Sequence, residues 1–459
     1  MPRTPQWAVK GAQSLPTPAL AGPVSAEAEP QPLARGLFLL YLFLVYSRAH
    51  EYFLHIPKLM FMLGGLTLVV AIVSVGAIRL FQSRFGILLC AFGLSMMFTS
   101  VFSLWRAGSV HTFYGWLAVF LIFCAGVQVL TSPKALRSAM YAISWATLFM
   151  VSMLLIYGTT VLDRVKLSIG SMADPNDFAS IILFSMPGWF LMILASREKL
   201  AYRIFAYGSL GLSIFTVLRT GSRAGFLTLA VLVLGMLRTV PAWKKLIAAA
   251  SLLVLAILGS YMLPESVMVR YKTLFESNSD PVSSLEEGAA RGSTKSRMFL
   301  LKQSIKITFQ HPLLGVGIGQ FVLANNEDMQ RQGLRPVWQG THNSYTEVSS
   351  EMGIPAFLIY VSILIAAFRV TGRVHRQFKE DPDRKMLADT AYCIRLSVLS
   401  YCITSLFLGH AYHFFMPTLA VLADGLQRVA RRQNPGAGFI PRTAAPAAPV
   451  RPALLRSRH

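Results

Sequence analysis

The sequence predicts an all-α polytopic membrane protein with about twelve transmembrane helices. Of its 459 residues, 54% are hydrophobic and only 14% are charged, whereas soluble proteins carry about 25% charged residues. Apolar runs of about 17–25 residues, long enough to cross a bilayer, recur along most of the chain. The spans must be helical because backbone polar groups need partners within the membrane, and the residue alternation of a transmembrane barrel is absent.

These runs divide the chain into five segments. Residues 1–34 are rich in Pro, Ala, Gly and Ser and are interpreted as a disordered cytoplasmic tail. Residues 35–262 form a first bundle of about nine spans, and residues 351–427 hold the last three. Between them, residues 263–350 form one large external loop, and residues 428–459 form a basic, disordered cytoplasmic tail.

The individual spans differ in length, and the first apolar run is short for a crossing. We predict the spans near residues 36–46, 57–78, 85–104, 111–130, 137–160, 178–195, 201–218, 224–238, 244–262, 352–369, 388–409 and 414–427.

The distribution of Lys and Arg orients these spans. Loops at 79–84, 131–137, 196–203, 238–245 and 369–385 together carry 16 Lys or Arg, and the alternate short loops carry 7. The positive-inside rule therefore places the first set in the cytoplasm. Most of the net charge of +22 reflects topology and tails, which excludes nucleic acid as a partner. The segment that follows the first bundle then faces outward, with nine basic and eight acidic residues that nearly cancel.

Some basic residues lie on this outer side, although the positive-inside rule expects most of them in the cytoplasmic loops. Arg219 and Arg223 bracket a turn in "LRTGSRAGF", and Arg297 lies near the start of a helix-like stretch. In that stretch apolar residues at 298, 301, 305 and 309 recur at helical spacing, as in a helix on a membrane or packed over the bundle. A guanidinium stays charged and makes paired hydrogen bonds to phosphate. The alternative is that Arg219 and Arg223 are interfacial anchors.

His342 lies in the polar loop "WQGTHNSYTEV" and is a candidate general base, since a neutral imidazole accepts a proton near pH 7. The alternative is a loop histidine with a packing role. Asn343 or Ser344 can cap the next helix, with Glu347 favourable in its first turn. Capping explains those neighbours without catalysis, but it does not explain His342.

Two further motifs predict local structure rather than chemistry. In "MADPNDFASII", Asp174 is expected as a helix N-cap, with Pro175 first in the helix and Asp177 third. In "HPLLGVGIGQF" the three glycines fit neither GxGxxG nor a Walker loop, so they indicate a tight turn.

Three motifs in order carry a family resemblance. They are "SRAGFLTLA", "HPLLGVGIGQF" and "THNSYTEVSSEMGIPAFLIYV", and together they resemble the O-antigen ligase and O-antigen polymerase superfamily from about residue 36 to 427. The resemblance implies a twelve-span bundle like that of type-C glycosyltransferases, with its site at the outer face. It also implies transfer of a glycan from an undecaprenyl-pyrophosphate donor to an acceptor sugar or lipid.

The resemblance assigns roles at the matching positions. Arg223 and Arg297 would bind the donor pyrophosphate, with Arg219 as a further candidate beside them. His342 would be the catalytic base. Glu351 and Tyr345 would support it, in roles that the motifs do not define.

The resemblance also implies the reaction class and setting. The expected enzyme is an inverting, metal-independent glycosyltransferase of surface polysaccharide biosynthesis, serving O-antigen or exopolysaccharide, in the bacterial inner membrane. It needs no cofactor, and the four cysteines lie in apolar runs without CxxC spacing. Its partners would be the lipid-linked glycan donor, a glycan or lipid acceptor, the bilayer and other polysaccharide assembly proteins. Ligase and polymerase, the sugar and the acceptor all stay open.

The rival function is a transporter or flippase of lipid-linked glycans. Transporters place ionisable residues within their spans. Here nearly all charges fall in loops or at span ends, and Arg395 is the main exception. The placement of charge therefore favours an enzyme.

Overall fold

In this computed structural model, the structure describes residues 32–434 except 55, 57, 77, 162, 168–173, 196–198, 244, 246–260, 262 and 275–284. The predicted tail at 1–34 lies outside the described residues up to residue 31, and so does the second tail from residue 435. The predicted span at 244–262 also lies outside them, apart from residues 245 and 261.

Fifteen α-helices, one short 3₁₀ helix at Leu80–Gln82 and one β-hairpin make up the regular structure of the described residues. The helices are α1 Pro32–Ser47, α2 Ala49–Phe53, α3 Leu59–Val75, α4 Arg84–Val101, α5 Arg106–Val129, α6 Pro133–Tyr157, α7 Pro175–Leu194, α8 Leu200–Arg219, α9 Arg223–Arg238, α10 Glu265–Lys272, α11 Leu285–Gln310, α12 Phe321–Arg331, α13 Ser344–Phe378, α14 Lys385–Thr404 and α15 Phe415–Gln433. The hairpin pairs β1 Gly158–Val161 with β2 Arg164–Leu167, antiparallel.

The architecture is that of a helical membrane protein. Helices α4, α5, α7, α8, α13 and α14 are long and apolar enough to cross a membrane, and α1 and α3 are shorter apolar helices. Each predicted span that falls within the described residues contains a helix. The hairpin is an addition to the predicted all-α fold.

Two predicted boundaries move. Helix α13 begins at Ser344 rather than near residue 351, because Asn343 caps it by accepting the backbone N–H groups of Tyr345 and Thr346. Helix α15 continues to Gln433, beyond the predicted end at 427, because Val429 and Ala430 are buried on its inner side. Between the two bundles the chain is not a simple loop, since it forms α10, α11 and α12.

Helix α7 is the centre of the bundle. Nearly all of its side chains are buried, and it packs against α6, α8, α9 and α14. Small polar residues allow the close approach: Ser144 donates to the carbonyl of Ser185 at 2.8 Å and Ser397 donates to that of Phe184 at 2.9 Å. The start of α7 therefore lies in the middle of one end of the bundle. We call this the site end, and it also holds the starts of α9 and α13.

The glycine-rich segment is the predicted tight turn, and it packs against the start of α13. Helix α13 is broken at Gly353, where φ is 79°, and the N–H of Ile354 donates to the carbonyl of Pro312 at 2.7 Å. Gly317 has a φ of 102°, and a Cβ there would overlap Ser103 in the α4–α5 connection. The turn thus requires glycine both for backbone conformation and for space.

Helix α11 is present where the apolar spacing predicted a helix, and a face other than the predicted apolar stripe packs on the protein. Met298, Ile305 and Phe309 of the predicted stripe are exposed, while Leu300 and Ile307 are buried. Those two side chains form a small core with Val316 and Phe321. The helix therefore covers the glycine turn with one face and leaves the predicted apolar stripe outward.

We expect Gly317→Ala to destabilise the protein by about 1–3 kcal/mol, because the new Cβ strains the backbone and overlaps Ser103. The thermal midpoint of purified protein in detergent measures this. Gly115→Ala is the matched control, since a Cβ on α5 at that position meets open space. Equal midpoints for the two variants would contradict the proposed constraint.

Candidate active site at one end of the helix bundle

The first turn of α7 carries the carboxylates of the site. Asp174 is the N-cap, as predicted, and its Oδ1 accepts the backbone N–H of Asn176 at 2.6 Å. Pro175 follows at the first helical position. Asp177, one turn into the helix, pairs its Oδ1 with His410 Nε2 at 2.9 Å. The capping prediction is confirmed, and the same carboxylates add negative charge to the centre of the site end.

Arg164 ties the hairpin to this turn. It lies on β2, and its Nη2 donates to Asn176 Oδ1 at 3.1 Å. Its Nε donates to the carbonyl of Thr220 at 2.8 Å, in the connection between α8 and α9. Burial, and after it the charge of Arg270, lowers the pKa of Arg164 to about 10. One guanidinium therefore joins three separate elements.

The α8–α9 connection places Arg223 at the first position of α9. Ser222 is the N-cap and accepts the N–H of Gly225 at 3.1 Å. Arg223 reaches out of the bundle, with Nη1 donating to Thr273 Oγ1 at 3.3 Å and Nη2 donating to the carbonyl of Ala290 at 3.1 Å. The arginine thus links the transmembrane bundle to α10 and α11.

Four guanidinium groups meet here, and we call Arg164, Arg223, Arg270 and Arg297 the arginine cluster. Arg223 and Arg164 each lie within electrostatic reach of both Arg270 and Arg297. Burial lowers the pKa of Arg270, and Arg297 lowers it further.

Within the described residues, the positive charge of the arginine cluster is only partly neutralised by carboxylates. Burial also lowers the pKa of Arg297, and the charges of Asp174 and Asp177 oppose that shift. Four cations thus face two carboxylates, one of which also pairs with His410. Like charges held together in a partly buried place repel one another unless an anion lies between them. The arrangement is therefore suited to an anion with more than one negative charge.

His342 lies beside the arginine cluster, within electrostatic reach of Arg297. It lies directly before the cap of α13 with a φ of 50°, a left-handed conformation that is uncommon for a non-glycine residue. Burial is the main cause that lowers the pKa of its imidazole, followed by the charge of Arg297, while Asp174 and Asp177 oppose the shift. The imidazole is therefore neutral at neutral pH and can accept a proton beside the arginine cluster.

Buried carboxylates fix the segment behind His342. Glu351 accepts the backbone N–H groups of Gly319 and Phe321 at 2.7 and 3.1 Å, and the hydroxyl of Tyr412 at 2.8 Å. Glu347, predicted in the first turn of α13, accepts the N–H of Ala411 at 3.1 Å. These contacts join the glycine turn and the α14–α15 connection to α13. Glu347 and Glu351 therefore support the backbone behind His342.

Tyr345 also packs behind the site. Its hydroxyl donates to the carbonyl of Cys402 at 3.0 Å, and its ring lies edge-on to Tyr360 at 5.9 Å between centroids. It therefore braces α13 against α14.

The structure brings three of the predicted site residues together, namely Arg223, Arg297 and His342. Arg219 ends α8 on the same connection and is half-buried. Arg270 also contacts this connection, since its Nε donates to the carbonyl of Gly221 at 3.4 Å. No group of three or more His, Cys, Asp or Glu side chains is placed to hold a metal ion within the described part of the chain.

Sequence reasoning missed five members of the site. Arg164 and Arg270 share the signal that singled out Arg223, since each is a basic residue on the predicted outer side. Asp174 and Asp177 were interpreted only as parts of a helix start. His410 had no signal, because only the fold brings it to α7, 233 residues away in sequence.

Comparison with known families bears on the segment that carries Arg223, Arg297 and His342. Residues 208–361 match the family described as O-antigen ligase. This part of the chain is therefore similar to O-antigen ligases. The resemblance to the O-antigen ligase superfamily is thereby confirmed. No curated protein matches the chain.

The O-antigen ligase match runs from α8 into α13. It includes Arg223, Arg297 and His342, whereas Arg164 on the hairpin and Asp177 on α7 lie before it. Together with the helices that are long and apolar enough to cross a membrane, the match supports a membrane glycosyltransferase-like protein of the ligase or polymerase type in surface polysaccharide biosynthesis.

We expect Glu351→Gln to lower the free energy of unfolding by about 1–3 kcal/mol, because an amide replaces a buried acceptor of three hydrogen bonds. Glu327→Gln is the control: that carboxylate is exposed and 3.8 Å from Arg331, so its loss changes stability by less than about 0.5 kcal/mol. Thermal midpoints in detergent measure both. A Glu351→Gln protein with full stability but no transfer activity would instead give Glu351 a chemical role.

Proposed function

We propose that the protein transfers a glycan from an undecaprenyl-pyrophosphate donor to an acceptor hydroxyl at the outer face of the bacterial inner membrane. The observation that carries the proposal is the convergence of the arginine cluster and a neutral His342 at one end of the bundle. A diphosphate supplies the multiple negative charge that the four guanidinium groups favour. The O-antigen ligase domain supports a lipid-linked glycan as the molecule that bears it.

The proposed reaction is a single inverting displacement. The acceptor hydroxyl loses its proton to the neutral imidazole of His342, and its oxygen forms a bond to the anomeric carbon. The bond between that carbon and the pyrophosphate oxygen breaks on the opposite face, and the oxygen keeps the electron pair. Negative charge grows on the pyrophosphate, so Arg223 and Arg297 stabilise the transition state more than the ground state. The guanidinium groups supply this stabilisation without a metal.

The outward orientation of the site rests on the distribution of charge. Arg238 ends α9 and Arg373 lies near the end of α13, whereas both helices begin at the site end. The positive-inside rule assigns the end with these basic residues to the cytoplasm. The site end would then face the periplasm, where a glycan carried on its lipid meets the acceptor.

Two experiments separate this function from its rivals. Transfer by purified protein in detergent, without sealed vesicles, indicates a transferase, because a flippase needs two compartments. Glycans that accumulate in a deletion strain separate the two enzymes. Single lipid-linked repeats indicate a lost polymerase, and long unattached lipid-linked chains indicate a lost ligase.

We expect His342→Ala to lower the rate of glycan transfer about 10²–10⁴-fold, the range for loss of a general base. Binding of the lipid-linked donor should change little, since the arginine cluster remains. His311→Ala is the control, because His311 is an exposed histidine before the glycine turn. Glycan transfer by His342→Ala near the native rate would contradict the assignment of His342 as the general base.

The pH dependence gives a second test. His342 acts when neutral, so kcat/KM should fall as pH drops through its pKa, which lies below the usual 6.5. Arg297→Gln removes a positive charge that lowers this pKa, so the acid limb should move to higher pH. Asp177→Asn removes an opposing charge, so the limb should move to lower pH. Lys302→Gln, an exposed position on α11, should leave it unmoved, and an acid limb common to all four proteins would contradict the role of His342.

A further inference from the structure

A second cationic place lies at the other end of the bundle. A cavity of about 380 Å³ opens between α4, α13 and α15, and Arg84, Arg369, Arg373 and Gln427 contribute to its lining. Helix α13 runs continuously from its break at Gly353 to Arg373, which at 1.5 Å per residue is about 30 Å. That distance is about the thickness of the hydrocarbon core of a bilayer. The cavity is therefore on the opposite side of the membrane from His342.

The charge around this cavity is strongly positive. Arg373 lies within electrostatic reach of Arg84, Arg369, Arg376 and Arg431, which come from three different helices. The described residues that line the cavity include three arginines and no carboxylate. Arg84, Arg369 and Arg373 are all exposed, so their guanidinium groups are accessible to a ligand. A phosphate group accepts paired hydrogen bonds from such groups.

The cavity also has an apolar part, and it opens on a flank that faces lipid. Leu88 and Ile365 belong to its lining. On the same flank, Ile87 of α4 is 55% exposed and Leu358 of α13 is 57% exposed, as expected for side chains in contact with acyl chains. Along α13 the outward positions change from apolar at Leu358 and Ile365 to cationic at Arg369. This order matches a phospholipid, whose phosphate lies above its acyl chains.

We propose that this cavity binds the phosphate of an anionic glycerophospholipid, with the acyl chains lying against α4 and α13. The apolar lining and the lipid-facing opening favour a membrane lipid over free phosphate. The bound lipid would join α4, α13 and α15 at the end opposite the active site. The proposal goes beyond glycan transfer and does not depend on it.

The test is a binding titration of the full-length protein in detergent with phosphatidylglycerol that carries a fluorescent acyl tail. Arg369→Gln/Arg373→Gln removes two charges of the cavity, and at about fivefold per charge its Kd should rise roughly thirtyfold. Lys199→Gln/Arg238→Gln is the matched control, since it removes two exposed charges at the same end, one directly before α8 and one at the end of α9. Its Kd should stay within about twofold of the native value.

Competition distinguishes the sources of phosphate. Unlabelled phosphatidylglycerol should displace the probe, whereas phosphatidylcholine and inorganic phosphate at the same concentration should not. A native Kd for Arg369→Gln/Arg373→Gln would overturn the proposal, and so would displacement by inorganic phosphate as effective as that by the lipid. Thermal midpoints confirm that each variant is folded, and Arg84→Gln, on a different helix, provides the same test should the double variant fail to fold.

Discussion

The gathering of buried positive charge at one end of the bundle is the constraint on which the rest of the structure depends. The four arginines lie on different elements. Arg164 is on the hairpin, Arg223 is at the start of α9, Arg270 is on α10 and Arg297 is on α11. Their mutual repulsion is only partly offset by Asp174 and Asp177. A site of this kind favours a polyanionic ligand.

The position of His342 depends on a second set of contacts beneath the arginine cluster. Asn343 caps α13, Glu351 holds the glycine turn through backbone N–H groups, and Ser344 accepts the N–H of His410 at 2.8 Å. His410 in turn pairs with Asp177. The backbone that carries the imidazole is therefore held by hydrogen bonds between protein groups. Such preorganisation keeps a base and a developing anion in fixed relation during a reaction.

Much of this arrangement was predictable from local sequence. The apolar runs predicted the helices, Asp174 and Pro175 predicted the start of α7, and Arg223, Arg297 and His342 stood out by residue type and position. The rest depends on contacts between distant parts of the chain. The pairing of His410 with Asp177 and the packing of Glu351 on the glycine turn have no local signature. The face of α11 that packs on the protein has no local signature either, because apolar spacing identifies a stripe but not the surface that it contacts.

The central claim is that a diphosphate lies between the arginine cluster and His342. The most direct measurement is an electron cryo-microscopy structure of the protein in a lipid nanodisc with undecaprenyl pyrophosphate. The account predicts density for the diphosphate within hydrogen-bond distance of the guanidinium groups of Arg223 and Arg297, on the side that His342 faces. Diphosphate bound elsewhere, with these three side chains apart from it, would contradict the account.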